Sequence, residues 1–181
     1  MPESVNTYSE EEILKGCQQG ERLYQEMLYR QFATKMYGIC MSYAGERPLA
    51  QDMLQDAFVK VFRNILNYRG DGSLEGWIRR IVVNTAIDHI RQRKNIVKLD
   101  KERTVLQPTH VYNDALSNIQ LKELMNFIGK LPEGARIVFN LFAVEGFTHK
   151  EIAERLHITE GTSKSQYNRA RNMLMGWLGN L

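Results

Sequence analysis

An all-α protein built as two small helical domains joined by a linker is predicted by three observations. Apolar residues recur at helical spacing along nearly the whole chain, and no alternating run that would make a strand is found. The periodicity fades once, from Asn95 to Asn113, where Pro108 stands. Beyond it, Gly129, Pro132, Gly146 and Gly161 punctuate a second series of short helices. Residues 1–94 are therefore expected to form one domain, 95–113 a linker and 114–181 the other.

In the first domain, Ser9 caps a short helix with Glu12 as its capping-box partner. A second helix covers about Glu21 to Tyr43, with Leu23, Met27, Tyr29, Phe32, Met36, Tyr37 and Cys40 expected on its inner face. Gly45 ends it. Pro48 suits the first turn of the third helix, about Pro48 to Asn67, because its missing N–H would be unpaired there. That helix carries the stripe Ala50, Met53, Leu54, Ala57, Phe58, Val61, Phe62, Ile65, Leu66 and an opposite face of Gln51, Asp52, Gln55, Asp56, Val59, Lys60 and Arg63. Tyr68 to Ser73 has the Gly, Asp and Ser chemistry of a loop. Ser73 then caps a fourth helix from Leu74 to about Lys94, burying Leu74, Trp77, Ile78, Ile81, Val82 and Ile90.

In the second domain Asp114 is an N-cap, and helices are predicted at about 115–129, 133–144, 148–156 and 160–178. Within it, Thr148 to Leu156 places Ile152, Ala153 and Leu156 inward, and the small Ala153 permits a close crossing. A tight turn with Ile158 as apolar plug follows, and Thr159 caps the last helix. That is the layout of a helix-turn-helix, whose second helix enters the DNA major groove. Ser163, Tyr167, Ala170, Leu174 and Leu178 are expected inward, with Gly161, Lys164, Ser165, Asn168, Arg169 and Asn172 opposite. Lys164, Ser165 and Asn168 suit base edges, Arg169 and Arg171 suit phosphates, and the helix N-terminus at Thr162 favours an anion. An ordinary helical hairpin with a solvated face is the alternative; the coincidence of turn, small residue, cap and basic face favours DNA.

With 181 residues, 43% hydrophobic and 25% charged, the composition is that of an ordinary globular protein. No apolar run approaches the roughly 18 residues of a membrane span. Glu10, Glu11 and Glu12 stand where a secretory signal would be basic then apolar. Cys17 and Cys40 are the only cysteines, which permits no disulfide framework and no Cys-x-x-Cys pair, and fits a reduced, cytoplasmic compartment.

The net charge of +3 is unremarkable, but its distribution is not. Residues 78–98 hold six basic residues against one acidic, and residues 159–181 hold three against one, on a body that is otherwise slightly acidic. In the first block, Arg80, Asn84 and Arg91 fall near one helical face, beside the loop edged by Tyr68 and Trp77. Cations beside an aromatic-edged loop suit single-stranded or unstacked nucleic acid. Trp77 is assigned to the core, whereas Tyr68 is open between stacking and packing. No catalytic constellation, dinucleotide loop or phosphate-binding Gly-Lys-Ser/Thr run is present, and His89, His110, His149 and His157 form no zinc pair, so no enzyme, cofactor or metal is expected.

From about Ser9 to Leu178 the chain resembles bacterial RNA polymerase sigma factors of the extracytoplasmic-function class. The resemblance rests on Asp52-Met53-Leu54-Gln55-Asp56-Ala57-Phe58-Val59-Lys60-Val61-Phe62, on Trp77 to Arg91, on Leu131-Pro132, on Gly146 to Ala153, and on Thr159 to Ser165 with Arg169-Ala170-Arg171. It implies that Gln55, Asp56, Val59, Lys60 and Arg63 dock on the clamp helices of the polymerase beta-prime subunit. It implies that Tyr68, Arg69, Gly72, Ser73, Arg80, Asn84 and Arg91 read the melted non-template strand of the minus-ten element. Thr162, Lys164, Ser165, Asn168, Arg169 and Arg171 would read the duplex minus-thirty-five element, and the linker would thread toward the RNA exit path. Promoter DNA and core polymerase are then the partners, with an anti-sigma protein that covers both domains.

Two departures from the family pattern stand out. His157 occupies a turn position that commonly holds Gly, so either the turn backbone differs or His157 takes the left-handed conformation. Ser163 and Gln166 replace an apolar residue and an Arg, which is expected to loosen inner packing and remove a phosphate contact. Two other functions fit the helix-turn-helix or the helices alone. One is a stand-alone regulator with a helical sensing domain; the other is a helical adaptor that binds only proteins.

Overall fold

The computed structural model describes residues 8–99 and 119–178, and among these it is built of helices with no strand. Helices α1 (Glu10–Gln18), α2 (Arg22–Ala44), α3 (Arg47–Asn64) and α4 (Leu74–Leu99) precede the undescribed segment. Helices α5 (Ile119–Lys130), α6 (Glu133–Phe139), α7 (His149–Leu156) and α8 (Glu160–Leu178) follow it. Asp114 and most of the expected linker lie outside the described residues.

The caps fall where local chemistry puts them. Ser9 Oγ accepts from the Glu12 N–H while the Glu12 carboxylate accepts from the Ser9 N–H, closing the expected capping box. Gly45 ends α2 in the left-handed conformation, φ 74°, and Pro48 sits in the first turn of α3. Ser73 accepts from the Gly76 N–H at the head of α4.

Helices α2, α3 and α4 bury Leu28, Phe32, Met36, Met53, Ala57, Phe58, Ile78, Val82 and Ala86 in one core. Helix α1 lies on α2 so closely that a Cβ on Gly16 would overlap the Tyr24 ring. In the second unit, Ile128, Leu131, Ala135, Ala170 and Leu174 form a smaller core, flanked by stacked Phe127 and Trp177 rings 5.8 Å apart. The far side of that unit, Ile137, Val138, Leu141, Ile152 and Leu156, joins the core of the first. The two units thus pack against each other.

Several expectations are corrected. Leu23 and Tyr29 are 52% and 38% exposed, because the buried stripe of α2 runs through Leu28, Phe32, Met36 and Cys40, a step away from both. Leu66 is 72% exposed, since α3 ends at Asn64 and tightens into a 3₁₀ turn over Ile65–Asn67, which breaks the phase of the stripe. Leu178 is 43% exposed at the end of α8, beyond the last core neighbour. Helix α4 continues to Leu99, past the end expected at Lys94. The predicted helix over 133–144 is α-helical only to Phe139 and then widens into a π turn over Asn140–Val144.

Candidate nucleic-acid interface

Helices α7 and α8 form the predicted helix-turn-helix. Thr148 and Glu151 close a capping box at the start of α7. Those hydrogen bonds, chiefly from the Thr148 backbone N–H, hold the Glu151 carboxyl below its usual range. His157 ends α7 in the left-handed conformation, φ 52° and ψ 48°, so the non-glycine residue takes the strained geometry rather than changing the turn. The Ile158 N–H then bonds the Ala153 carbonyl at 3.1 Å, and Thr159 Oγ1 accepts from the Thr162 N–H at 3.0 Å.

Ser163 is fully buried beneath this turn, and its hydroxyl pairs with His149 Nδ1 at 3.0 Å. His149 in turn stacks on Phe142, centroids 4.3 Å apart, and meets Tyr167 edge-on. The polar residue expected to loosen the packing is therefore matched by a polar partner. Gln166 lies over Gly134, where a Cβ would come within 3.4 Å of its carboxamide.

Gly161, Thr162, Lys164, Ser165, Asn168, Arg169, Arg171 and Asn172 are all exposed on α8. Lys164 pairs with Glu160 at 2.7 Å, which holds the Glu160 carboxyl low. Ser165 Oγ donates to the Thr162 carbonyl. Arg169 and Arg171 make no ion pair among the described residues, so both guanidinium groups face solvent. This exposed face of α8 carries three cations, Lys164, Arg169 and Arg171.

The loop before α4 is closed by the Tyr68 hydroxyl, which donates to the Gly72 carbonyl at 2.7 Å. Gly70 (φ 82°) and Gly72 (φ 101°) supply turns that L side chains rarely adopt. The Tyr68 ring lies 5.6 Å from that of Trp77, and both are half-buried against the core. Arg69, Gly72, Ser73 and Arg80 are exposed. Further along α4, Asn84 Oδ1 accepts from Arg155 Nη1 at 2.9 Å, and Arg91 contacts His157 Nε2. Both partners belong to α7 or its turn. From Arg80 to Arg91 the cationic face runs about 16 Å along the helix.

On α3, Gln55, Asp56, Val59 and Arg63 are exposed and Lys60 is half-buried. Asp56 Oδ2 lies 2.8 Å from His89 Nε2, and Lys60 Nζ donates to Asp88 at 3.1 Å, so α4 braces this polar face. Neither Asp88 nor His89 was expected there.

Three residues whose role the sequence does not announce join the two units. Arg79 donates two hydrogen bonds to Glu145, at 3.0 and 2.7 Å, and this pairing holds its guanidinium above its usual range. Arg136, buried, donates to the Tyr43 carbonyl, and Asn140 Nδ2 donates to the Ser42 carbonyl at 2.8 Å. A sequence signal existed: Arg136 and Asn140 sit one turn apart among Ala135, Ile137, Val138 and Leu141, where an apolar face is expected. Among the described residues no three His, Cys, Asp or Glu side chains converge, and no helix is long and apolar enough to cross a membrane.

Comparison with known proteins places this geometry. Residues 28–96 match the family model for sigma-70 region 2, and residues 121–174 match that for sigma-70 region 4. The chain is 30% identical over 158 residues to the ECF RNA polymerase sigma factor SigE of Mycolicibacterium smegmatis, covering 83% of this chain and 60% of that relative's length. It is 27% identical over 177 residues to the RNA polymerase sigma-H factor of Pseudomonas aeruginosa, covering 91% of each. The fold matches that of the sigma factor RpoE of Bartonella quintana, solved with the anti-sigma factor NepR, at a TM-score of 0.55 and 19% identity over 85% of this chain and 96% of that one. The chain belongs to the sigma-70 family of RNA polymerase sigma factors, in its extracytoplasmic-function class.

Proposed function

We propose that this chain directs core RNA polymerase to specific promoters in the cytoplasm, with no catalytic activity of its own. The carrying observation is a pair of separate cationic surfaces of different design: the solvent-facing donors of α8, and the exposed loop at Arg69 to Ser73 running into α4. A helix presenting Lys164, Ser165, Asn168, Arg169 and Arg171 behind a capped N-terminus suits the major groove of duplex minus-thirty-five DNA, with Thr162 at the phosphate. A loop carrying Tyr68, Arg69, Gly72 and Ser73, followed by Arg80, Asn84 and Arg91, suits unstacked bases and their backbone in the minus-ten element.

Duplex binding by residues 114–181 positions residues 1–94, which capture bases as they leave the stack. Because that capture is available only in the melted state, it shifts the promoter toward strand separation. Gln55, Asp56, Val59, Lys60 and Arg63 supply the face for the clamp helices of the beta-prime subunit. An anti-sigma protein is a further partner, a role supported by the complex in which the Bartonella relative was solved.

Run-off transcription from a promoter library tests this. Mixing with core polymerase is expected to give start sites that neither component gives alone, and Arg169→Ala with Lys164→Ala is expected to abolish them. Tight binding of palindromic duplex by the pure dimeric protein would instead identify a stand-alone regulator. Start sites unaffected by the double substitution would identify a protein-only adaptor.

A further inference from the structure

We propose that Asp88 and His89, on α4, are positioning residues for polymerase docking. Each holds one charged side chain of the α3 face, and together they keep Asp56 and Lys60 apart and presented to the clamp. The inference deepens the assignment of that face to core polymerase and rests on it.

On α3 the acid Asp56 precedes the base Lys60 by one turn, the spacing and order at which two such side chains close on each other. Elsewhere in the chain pairs one turn apart do close: Glu26 holds Arg30 at 2.6 Å and Glu160 holds Lys164 at 2.7 Å. Asp56 and Lys60 do not. His89 Nε2 lies 2.8 Å from Asp56 Oδ2, and Lys60 Nζ donates to Asp88 Oδ2 at 3.1 Å. An ionised carboxylate only accepts, so the ring nitrogen facing Asp56 carries the hydrogen. Two adjacent residues of α4 thus divide a pair that α3 would otherwise close within itself. Arg93 with Glu46, at 3.1 Å, continues the same seam toward the head of α3.

Stability does not account for the arrangement. The side chains of Asp56, Lys60 and Asp88 are 60%, 43% and 46% exposed, and ion pairs so exposed add little to folding. Their effect is on what the face offers. Asp56 spends one oxygen on His89 and keeps Oδ1, while Lys60 spends one N–H on Asp88 and keeps the others. A pair closed along α3 would neutralise both groups, and a partner would have to open it before binding. Side chains fixed ahead of contact lower the ordering cost of association. His89, with only 19% of its side chain exposed, suits a support beneath the face rather than a contact upon it. Asn84 and Arg91 bracket both supports within about two helical turns, so the helix assigned to strand reading also sets the docking face.

The test measures the affinity of the full chain for core RNA polymerase, by competition against a dye-labelled copy of the unaltered protein. Circular dichroism and thermal melts confirm that each variant folds. Asp56→Ala and Lys60→Ala are expected to weaken binding. His89→Ala and Asp88→Ala are each expected to weaken it about two- to ten-fold, the range set by freeing one held side chain. His89→Gln keeps a side-chain N–H and is expected to recover most of the loss. Because His89 acts through the Asp56 carboxylate, His89→Ala is expected to add nothing in the Asp56→Ala background. Should His89→Ala fail to fold, the more exposed Asp88→Ala, with and without Lys60→Ala, completes the same cycle. Unchanged affinity in His89→Ala and Asp88→Ala, beside weakened Asp56→Ala and Lys60→Ala, overturns the positioning and leaves the docking face in place. Additive losses overturn it as well, since the α4 residues would then act independently of α3. Unchanged affinity in both Asp56→Ala and Lys60→Ala overturns the docking face and the inference with it.

Discussion

His149 Nδ1 lies 3.0 Å from the hydroxyl of Ser163, and the pair forms a polar link where α7 crosses α8. Ser163 is fully buried, so its hydroxyl has no water to fall back on. Ser163→Ala leaves the imidazole nitrogen without its partner and is expected to lower unfolding free energy by about 1 kcal/mol. His149→Ala also removes the stack on Phe142 and is expected to cost more. Urea denaturation followed by far-ultraviolet dichroism measures both; an unshifted midpoint for Ser163→Ala refutes the pairing.

Two helical glycines make opposite predictions. Replacing an exposed helical Gly by Ala is worth up to about 1 kcal/mol. Gly38 in α2 has open space around its Cβ position, so Gly38→Ala is expected to raise the melting temperature. A Cβ on Gly16 enters the Tyr24 ring, and overpacking of that kind costs about 1–3 kcal/mol. Gly16→Ala is expected to lower the melting temperature despite its better helix propensity.

The left-handed His157 discriminates among replacements by their Cβ. A β-branched residue there adds a clash at positive φ, so His157→Val is expected to destabilise by about 1–2 kcal/mol. Asn tolerates the conformation, and His157→Asn is expected to stay within about 0.5 kcal/mol of the parent. Thermal melts separate the two.

Acid sensitivity is expected at the head of α7. The Glu151 carboxyl is held below its ordinary 4.5 by the Thr148 backbone N–H, then by the Thr148 hydroxyl. A depressed native pKa means that ionisation favours the folded state. The contribution is complete above the unfolded value near 4.5 and is lost as pH falls through the lower native value. Glu151→Gln is expected to flatten this part of the stability profile; equal profiles for both proteins would exclude the capping role.

Arg171 is assigned to a phosphate, which specifies a signature in salt. Removing one phosphate contact lowers the slope of log affinity against log salt by about 0.9 and weakens binding evenly across sequences. Holoenzyme carrying Arg171→Ala is expected to show both changes on promoter duplex. A change in sequence preference with the slope intact would move Arg171 to a base edge.

The elements most legible in the sequence are those set by neighbours three or four residues away. Ser9 with Glu12, Thr148 with Glu151 and Thr159 with Thr162 cap where their spacing places them. The errors arise where pitch changes. Leu66 falls inward only on an unbroken α-helix, and the 3₁₀ turn carries it out. The face of α8 and the Tyr68–Ser73 loop were legible because periodicity and turn chemistry are local. The part Arg136 and Asn140 play in joining the two units was not, since the acceptors they reach there, Tyr43 and Ser42, lie 93 and 98 residues earlier in the chain.

The widened turn at Asn140–Val144 has a consequence for how chain length is tolerated. A π turn is what an α-helix becomes on gaining one residue, so side chains after it are rotated by roughly 100° from where a regular spiral would aim them. Arg136 precedes that offset, Asn140 opens it and Glu145 follows it, which is how one rod can address the tip of α2 and the flank of α4 at once. Excising a single position between Leu141 and Val144 would straighten the spiral and swing Glu145 away from Arg79, though every amino acid that makes the contacts remained present.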